Sequence, residues 1–320
     1  MTTRKPISLA AAALVAGLAL TACGSDSSGG GGGGGGGGDA KALDGVSITV
    51  GSKDFTENIL LGKFLVKAME AQGANVTDKT NLGGSAVNRE ALLAGQVNVS
   101  PEYNGTGWTV YLKHDDPGND PKALYEKVAK EDLEKNKLKW VGTSPFNDTY
   151  GFAANGDLAK KEGGFDFQKM ADYLKANPSS TVCMETEFPD RPDGLVLFEK
   201  ATKYKVPQSQ IKILDTGLIY TETAKGSCDF GEVFTTDGRI TALNLELVND
   251  PGVMILYNVS YVFQDEVYQK NAQAYDDMVN KILAPLDNAK MAELNAKVDV
   301  EGDSADKVAE DYIDEIGLNG

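Results

Sequence analysis

An unbroken glycine run at residues 29–38 divides this chain into a short leader and a long body. Glycine brings no side chain to a hydrophobic core and loses more conformational freedom on folding than any other residue. A segment of this composition behaves as a flexible coil. We therefore expect the run to be a tether, with all folded structure formed by residues 44–320.

The leader has the pattern of a secretory signal. Arg4 and Lys5 precede an apolar stretch at about 7–19, which is followed by Leu-Thr-Ala-Cys, ending at Cys23. The stretch is shorter than the roughly 20 apolar residues of a membrane-spanning helix. The Leu-Thr-Ala-Cys segment resembles the bacterial lipobox, in which cleavage leaves the cysteine first and diacylglycerol is attached to its sulfur. An ordinary signal peptide with an incidental cysteine is the alternative.

The domain organisation that follows is a signal peptide at 1–22 and a lipidated Cys23 with its tether at 23–43. We expect an extracytoplasmic protein that is anchored to the cell membrane by lipid through Cys23. The body is long enough for two domains of ordinary size. The formal net charge of the whole chain, -16, argues against a nucleic-acid partner, because phosphates require basic patches.

Two cysteines, Cys183 and Cys228, remain in the body. Outside the cytoplasm such a pair favours a disulfide over two free thiols. Neither cysteine belongs to a Cys-x-x-Cys motif, and His114 is the only histidine, so a metal site is a poor interpretation. We predict no metal and no cofactor.

Strands and helices alternate along the body. Val46, Ile48 and Val50 alternate with polar residues, which predicts a strand. Asp54 and Glu57 then resemble a capping box that opens a helix. In the same way Ser85 is expected to cap a helix through Leu93. Further strands are predicted at 97–99, 139–141, 181–184, 211–214 and 253–256, with helices at 167–175, 194–204 and beyond about 271. This alternation predicts α/β layers with largely parallel sheets, whose ligands bind beyond the carboxyl ends of the strands.

The loops after these strands carry aromatic and cationic side chains. These residues are Lys53, Tyr103, Thr106, Tyr150, Arg191, Tyr220 and Phe234. Five segments stand out: Gly-Ser-Lys-Asp-Phe-Thr-Glu, Leu-Gly-Gly-Ser with Arg89, Pro-Glu-Tyr-Asn-Gly-Thr, Arg-Pro-Asp-Gly and Phe-Thr-Thr-Asp-Gly-Arg-Ile. In this order they resemble the glycine betaine, carnitine and choline binding proteins of osmoprotectant ABC transporters.

The resemblance covers essentially the whole body and implies a fold. That fold is α/β and of the type II periplasmic-binding-protein kind, with two lobes joined by a hinge. Each lobe is a mixed sheet flanked by helices. By this analogy lobe one is residues 44–145 plus 246–320, and lobe two, inserted in it, is residues 146–245.

The resemblance also implies a ligand site. An aromatic cage for a trimethylammonium group would be formed by Tyr103, Tyr150, Tyr220 and Phe234. The ligand's carboxylate would meet Lys53, Thr106 and Arg191, and a backbone carbonyl at Asp148 would add a further contact. Phe234 departs from the family, which usually has tyrosine there; phenylalanine keeps the π face and loses the hydroxyl.

Physical chemistry supports such a site independently. A quaternary ammonium has no N–H to donate, whereas aromatic faces offer it a negative quadrupole and apolar contact together. A desolvated cation–π contact contributes about 1 to 2 kcal/mol, and a hydrogen bond to a charged group about 1.5 to 3 kcal/mol. Four rings and three polar anchors therefore sum to the order of 10 kcal/mol before ordering costs, which puts micromolar affinity within reach.

The function expected from these residues is capture of a quaternary-ammonium compatible solute for an ABC importer. Two cations and Thr106 favour a zwitterion such as glycine betaine; choline, carnitine, proline betaine and ergothioneine are alternatives. A secreted hydrolase is the competing class, but the sequence has no Gly-x-Ser-x-Gly or His-Glu-x-x-His motif. We expect a monomeric binding protein rather than an enzyme, with the ABC permease and ATPase subunits as partners.

Overall fold

A computed structural model describes residues 41–319. The expected signal peptide, Cys23 and most of the tether lie outside these residues. Leu43, at the end of the expected tether, is buried, and its amide donates to the Gln72 carbonyl at 2.9 Å. The folded body therefore includes at least this residue.

The described residues form two mixed sheets of five strands each. The strands are β1 (Ser47–Gly51), β2 (Asn75–Lys79), β3 (Val99–Tyr103), β4 (Leu138–Val141), β5 (Tyr150–Ala154), β6 (Val182–Met184), β7 (Ile211–Ile213), β8 (Phe230–Phe234), β9 (Glu246–Leu247) and β10 (Val259–Gln264). The first sheet has the order β2-β1-β3-β10-β4, and the second has the order β7-β6-β8-β5-β9.

Helices flank both sheets. They are α1 (Thr56–Ala71), α2 (Ser85–Leu93), α3 (Asn104–Thr106), α4 (Pro121–Asn136), α5 (Gly156–Glu162), α6 (Phe167–Ala176), α7 (Leu195–Thr202), α8 (Thr216–Ala224), α9 (Arg239–Ala242), α10 (Asp265–Tyr268), α11 (Ala272–Leu283), α12 (Asn288–Asp299) and α13 (Ala305–Glu315). A π-helical turn at Gly107–Tyr111 and a 3-10 turn at Gln208–Gln210 complete the regular structure.

Each sheet combines parallel and antiparallel pairs. In the first, β1 pairs in parallel with β2 and β3, and β10 runs antiparallel to β3 and β4. In the second, β6 is parallel to β7 and β8, whereas β5 is antiparallel to β8 and β9. The α/β fold with two mixed sheets is confirmed. The largely parallel sheets predicted from alternation alone were wrong, because strands β5 and β10 enter from distant parts of the chain.

Several local predictions need correction. The segment predicted as a strand at 253–256 is irregular, and the strand β10 begins three residues after the end of that range, at Val259. The predicted capping box of Asp54 with Glu57 and the predicted cap at Ser85 are also wrong. Helix α1 begins after Phe55 and α2 after Gly84, and neither N-terminus has a side-chain cap. Glu57 and Ser85 instead make long-range hydrogen bonds, as described below.

The core is continuous beneath both sheets. On α1, the ring of Phe64 lies 4.6 Å from that of Tyr312 on α13. Two buried tyrosine hydroxyls, of Tyr261 and Tyr312, donate to backbone carbonyls at 2.7 and 2.6 Å, so these large side chains are buried without an unpaired polar atom. Within residues 41–319, no helix combines the length and apolar character needed to cross a membrane.

Candidate functional site

A cavity of about 520 Å³ lies between the two sheets. Residues predicted from the sequence make up part of its lining, namely Lys53, Tyr103, Thr106, Asp148, Tyr150 and Phe234. The volume falls within the usual range for small-molecule pockets. The structure thus brings most of the predicted site together, and the two predicted residues outside the lining, Tyr220 and Arg191, are treated separately.

Strand pairing explains why distant segments meet here. Tyr150 opens β5 and is the direct antiparallel partner of Phe234, which ends β8. In the first sheet, Tyr103 ends β3 and pairs with Val259, so that Tyr257, two residues before, lies at the same edge. The carboxyl ends of β3 and β8 therefore supply the rings, and the antiparallel neighbours β5 and β10 add theirs.

Glycine permits the close approach of these segments. A Cβ on Gly105 would lie 2.5 Å from the carbonyl oxygen of Leu256. No real side chain tolerates that distance from a backbone atom. The glycine of Pro-Glu-Tyr-Asn-Gly-Thr thus lets the turn after Tyr103 pack directly against the segment that leads to Tyr257.

The aromatic side chains form one cluster. The Tyr150 ring centroid lies 5.2 Å from that of Phe234 and 5.3 Å from that of Tyr257, the latter edge-on. Tyr103 and Tyr257 are 6.3 Å apart, also edge-on. Phe55 stacks 4.9 Å from Phe234 and 6.0 Å from Tyr103. We call Phe55, Tyr103, Tyr150, Phe234 and Tyr257 the aromatic cluster; all of them line the cavity.

Sequence reasoning missed Phe55 and Tyr257. Phe55 belongs to the Gly-Ser-Lys-Asp-Phe-Thr-Glu segment already singled out, so an aromatic residue in a predicted binding loop could have identified it as a site residue. Tyr257 lies two residues before β10, but a strand was predicted at 253–256 instead. With β10 in its true place, Tyr257 becomes a loop aromatic of the kind selected elsewhere.

Tyr220, predicted as a cage residue, does not line the cavity. It lies in α8 rather than in a loop and is fully buried. Its hydroxyl accepts a hydrogen bond from the Phe234 amide at 3.0 Å, and the Arg239 guanidinium stands 4.1 Å above its ring. Tyr220 therefore supports the backbone that presents Phe234, one layer behind the cavity.

Arg191 also lies behind the lining. Its Nη2 donates to Thr106 Oγ1 at 3.2 Å, and its guanidinium carbon is 5.4 Å from the Tyr150 ring centroid. It pairs with Asp193 at 2.8 Å and with Glu187 at 3.2 Å. The charge of Arg191 is thus engaged by carboxylates, and it approaches the cavity through Thr106.

Lys53 lines the cavity and is likewise paired. Its Nζ lies 3.0 Å from Glu102 Oε2 and 5.0 Å from the centre of the Tyr103 ring. Glu102 in turn accepts from Tyr111 at 2.8 Å and Asn88 at 2.9 Å. This buried network fixes the ammonium group beside the aromatic cluster.

Two further carboxyl groups adjoin the cluster on its other side. Glu57 accepts from the Tyr103 hydroxyl at 3.0 Å. The Thr236 hydroxyl lies 2.6 Å from Glu57 and 2.6 Å from Asp148. Burial raises the pKa of both carboxyl groups, that of Asp148 well above its ordinary value.

The second sheet contributes an acidic wall through Glu185 and Glu187, which follow β6. Burial raises the pKa of Glu185 to about 7. Glu187 accepts from the Ser85 amide at 2.8 Å, and Ser85 Oγ accepts from Arg191 at 3.1 Å. These contacts join α2 of the first sheet to the segment after β6 of the second.

Cys183 and Cys228 are bonded to each other, with Cα atoms 5.9 Å apart. Both are buried. Cys183 lies in β6 and Cys228 just before β8, so the bond crosses the two strands that lead to Glu185 and Phe234.

Comparison with known proteins identifies the family. Residues 46–315 match the model of the substrate binding domain of ABC-type glycine betaine transport systems. The chain belongs to this family. The match covers both sheets and every residue of the aromatic cluster.

Two curated relatives agree with the family match. The chain is 32% identical to the glycine betaine-binding protein YehZ of Escherichia coli over 277 residues, covering 84% of this chain and 90% of the relative. It is 33% identical to a glycine-betaine-binding protein of Pseudomonas aeruginosa over 276 residues, covering 84% and 88%. A solved structure of apo YehZ superposes with a TM-score of 0.62 at 32% identity, covering 85% of this chain and 99% of that one.

The family membership decides the general role of the chain. It is an extracytoplasmic substrate-binding protein of an ABC-type transport system. The fold is that of type II periplasmic binding proteins, and the cavity between the sheets is the candidate substrate site of this family member.

Proposed function

We propose that this member of the family captures a quaternary-ammonium compatible solute, glycine betaine foremost, in the aromatic cluster and delivers it to the permease for osmoprotection. The observation that carries the proposal is the convergence of four rings, those of Tyr103, Tyr150, Phe234 and Tyr257, on one cavity. Aromatic faces are the groups that recognise a cation with no N–H. Phe55 stacks on two of these rings, those of Tyr103 and Phe234, and is the fifth aromatic residue of the cluster.

The carboxylate end of the ligand has matching groups. Lys53 and Thr106 line the same cavity, and Arg191 is one hydrogen bond behind Thr106. Both cations already have protein counter-ions, so a ligand carboxylate adds to a charge network instead of neutralising free cations. The backbone carbonyl of Asp148 is a further proposed contact, and Tyr220 is replaced in our proposal by Tyr257.

Ligand capture should be coupled to closure. The two sheets would belong to two lobes, residues 44–145 with 246–320 and residues 146–245. A ligand held by Tyr103 of one sheet and Tyr150 of the other favours the closed arrangement, since only that form offers both contacts. The bonds from Ser85 to Glu187 and Arg191 would then hold the closed form.

Cellular placement and partners complete the proposal. The leader at 1–22 would be a signal peptide, and lipid on Cys23 with the glycine-rich tether would hold a monomeric body near the membrane. The permease and ATPase subunits of the importer would be its partners. The protein would bind its ligand without chemical turnover.

Titration calorimetry of the purified protein tests this function. We expect glycine betaine to bind once per chain with micromolar affinity, about -8 kcal/mol, and to be recovered unchanged. Carnitine, proline betaine, choline and ergothioneine in the same experiment rank the alternatives. The absence of heat with every one of these ligands would contradict the proposal, as would conversion of the ligand to product.

Phe234→Tyr tests the departure from the family's usual tyrosine. Because the π face is kept, we expect the affinity for glycine betaine to change by no more than about tenfold, or about 1.4 kcal/mol. The same titration measures it, with Phe230→Tyr in the same strand as a control outside the cavity. A larger change would mean that the missing hydroxyl matters more than the ring face.

A further inference from the structure

Two buried carboxyl groups meet beside the aromatic cluster with one hydroxyl between them. Thr236 Oγ1 lies 2.6 Å from Glu57 Oε2 and 2.6 Å from Asp148 Oδ1. All three side chains are buried, and Asp148 lines the cavity. Glu57 lies in the first turn of α1, which packs on the first sheet, whereas Thr236 follows β8 of the second sheet. The contact between Glu57 and Thr236 therefore also joins the two sheets. We call Glu57, Thr236 and Asp148 the carboxyl bridge.

Counting protons fixes the charge of the carboxyl bridge. A threonine hydroxyl has one proton and donates to one carboxylate only. The second contact at 2.6 Å therefore requires that the other carboxyl group donate to the hydroxyl oxygen. With both carboxyl groups ionised, the second contact would bring two oxygen atoms together with no hydrogen between them, which is repulsive. The bridge thus holds at least one proton, and with the other carboxyl group ionised it carries a single negative charge.

The proton belongs on Asp148. Burial raises the pKa of Glu57, but Glu57 already accepts from the Tyr103 hydroxyl at 3.0 Å and from Asn295 Nδ2 at 3.1 Å, and these hydrogen bonds oppose the rise by favouring the ionised form. Its place in the first turn of a helix favours it too. Burial, followed by the charge of Glu57, raises the pKa of Asp148 well above its ordinary value.

The remaining negative charge has no side-chain counter-ion. In the part of the chain that the structure describes, no lysine or arginine forms a salt bridge with Glu57 or Asp148. The neighbouring titratable groups are Tyr103 from β3, Tyr220 from α8 and Asp237 after β8, of which none is cationic. Arg239 and Lys53 are engaged elsewhere, the first by Asp237 and Asp299 and the second by Glu102.

A buried charge without an opposite charge is costly, so its retention next to a cation-binding cluster calls for a role. We propose that the carboxyl bridge is the counter-charge for the ligand's onium group, and that Asp148 releases its proton to solvent when the cation enters. This rests on the proposed function. In the step, the Asp148 O–H bond breaks, the electron pair stays on the carboxylate and a buffer base takes the proton. The contact between Asp148 and Thr236 then opens, because one hydroxyl proton cannot serve two ionised carboxylates.

The sign of the effect follows from electrostatics. A nearby positive charge favours an ionised carboxyl group, so the pKa of Asp148 is lower in the complex than in the free protein. Since Asp148 is already buried, exclusion of water by the ligand adds little in the opposite direction. Affinity therefore rises with pH between the two pKa values, by up to about tenfold per unit, and is flat outside that window.

Calorimetry in two buffers of different ionisation enthalpy, phosphate and Tris, measures the proton directly. The full chain is titrated with glycine betaine and with tetramethylammonium from pH 5.5 to 8. We expect release of about half to one proton per bound ligand within the window, with tetramethylammonium releasing at least as much because it brings no carboxylate. Binding whose heat is the same in both buffers at every pH would overturn the inference while leaving the proposed function intact.

Matched variants assign the proton. Asp148→Asn keeps the shape and removes the titrating group, and we expect it to abolish proton release. Glu185→Gln removes another cavity carboxyl group, one whose pKa is about 7, and should retain it. Release that persists in Asp148→Asn, or vanishes in Glu185→Gln, would overturn the assignment, and the second result is informative even where the first variant does not fold. If neither ligand binds the wild type, the proposed function fails and this inference with it.

Discussion

Tyr150→Ala should lower the affinity for glycine betaine by at least about 100-fold, or about 2.7 kcal/mol. The change removes a ring worth about 2 kcal/mol to a desolvated cation. It also removes the surface on which Phe234 and Tyr257 pack, at 5.2 and 5.3 Å. Titration calorimetry of the purified variant measures the effect.

Tyr275→Ala is the matched control. Tyr275 is also buried and packs on Phe263 and Tyr268, but it lies in α11 and does not line the cavity. Its removal should cost stability, about 3 to 5 kcal/mol for a large core side chain, and leave the affinity of the folded protein unchanged. Equal losses of affinity in the two variants would remove Tyr150 from the site. Tyr220→Phe should change affinity by less than about tenfold, because it keeps the ring and removes only the hydroxyl, whose partner is the Phe234 amide.

Replacing Cys183 and Cys228 together by serine should lower the free energy of unfolding by about 4 kcal/mol, since the bond closes a loop of 45 residues. The bond restricts the unfolded chain and is buried in the folded one. Urea denaturation followed by tryptophan fluorescence measures the change, and reduction of the wild type should produce the same shift.

Cys23→Ser supplies the control for that experiment. It removes the chain's other cysteine and keeps the pair, so the free energy of unfolding should stay at the wild-type value. A double variant as stable as the wild type would show that the bond contributes nothing to folding.

The sequence predicted the residues of short local motifs better than those that depend on strand pairing. Lys53, Tyr103 and Thr106 each lie at or just after the end of a strand that an alternating or apolar pattern reveals, and each lines the cavity. Tyr150 and Phe234 are 84 residues apart in the sequence, but the antiparallel pairing of β5 with β8 makes them direct partners in the sheet. The motifs named both residues without revealing that they are neighbours.

Tyr220 and Tyr257 show the limit of the local pattern. Both follow polar or mixed segments, and the choice between them depends on where α8 and β10 begin. Tyr220 falls on the buried side of α8, whereas Tyr257 precedes β10, whose pairing with β3 sets it beside Tyr103. Such pairing is a long-range property that one sequence does not display.

Glu57 shows a different limit. Its spacing from Asp54 is that of a capping box, and local hydrogen bonding was the natural interpretation. In the folded protein it accepts from Tyr103, Thr236 and Asn295, which are all distant in sequence. A glutamate at this position fits both a local capping box and a buried tertiary contact. The packing of α1 against α12 shows that the tertiary contact is the one formed.

Crystals grown with saturating glycine betaine test the central claim most directly. The account predicts the trimethylammonium nitrogen within about 6 Å of the ring centroids of Tyr103, Tyr150, Phe234 and Tyr257, with the carboxylate toward Lys53 and Thr106. Electron density for the ligand outside this cavity, or an onium group that contacts none of these rings, would contradict it.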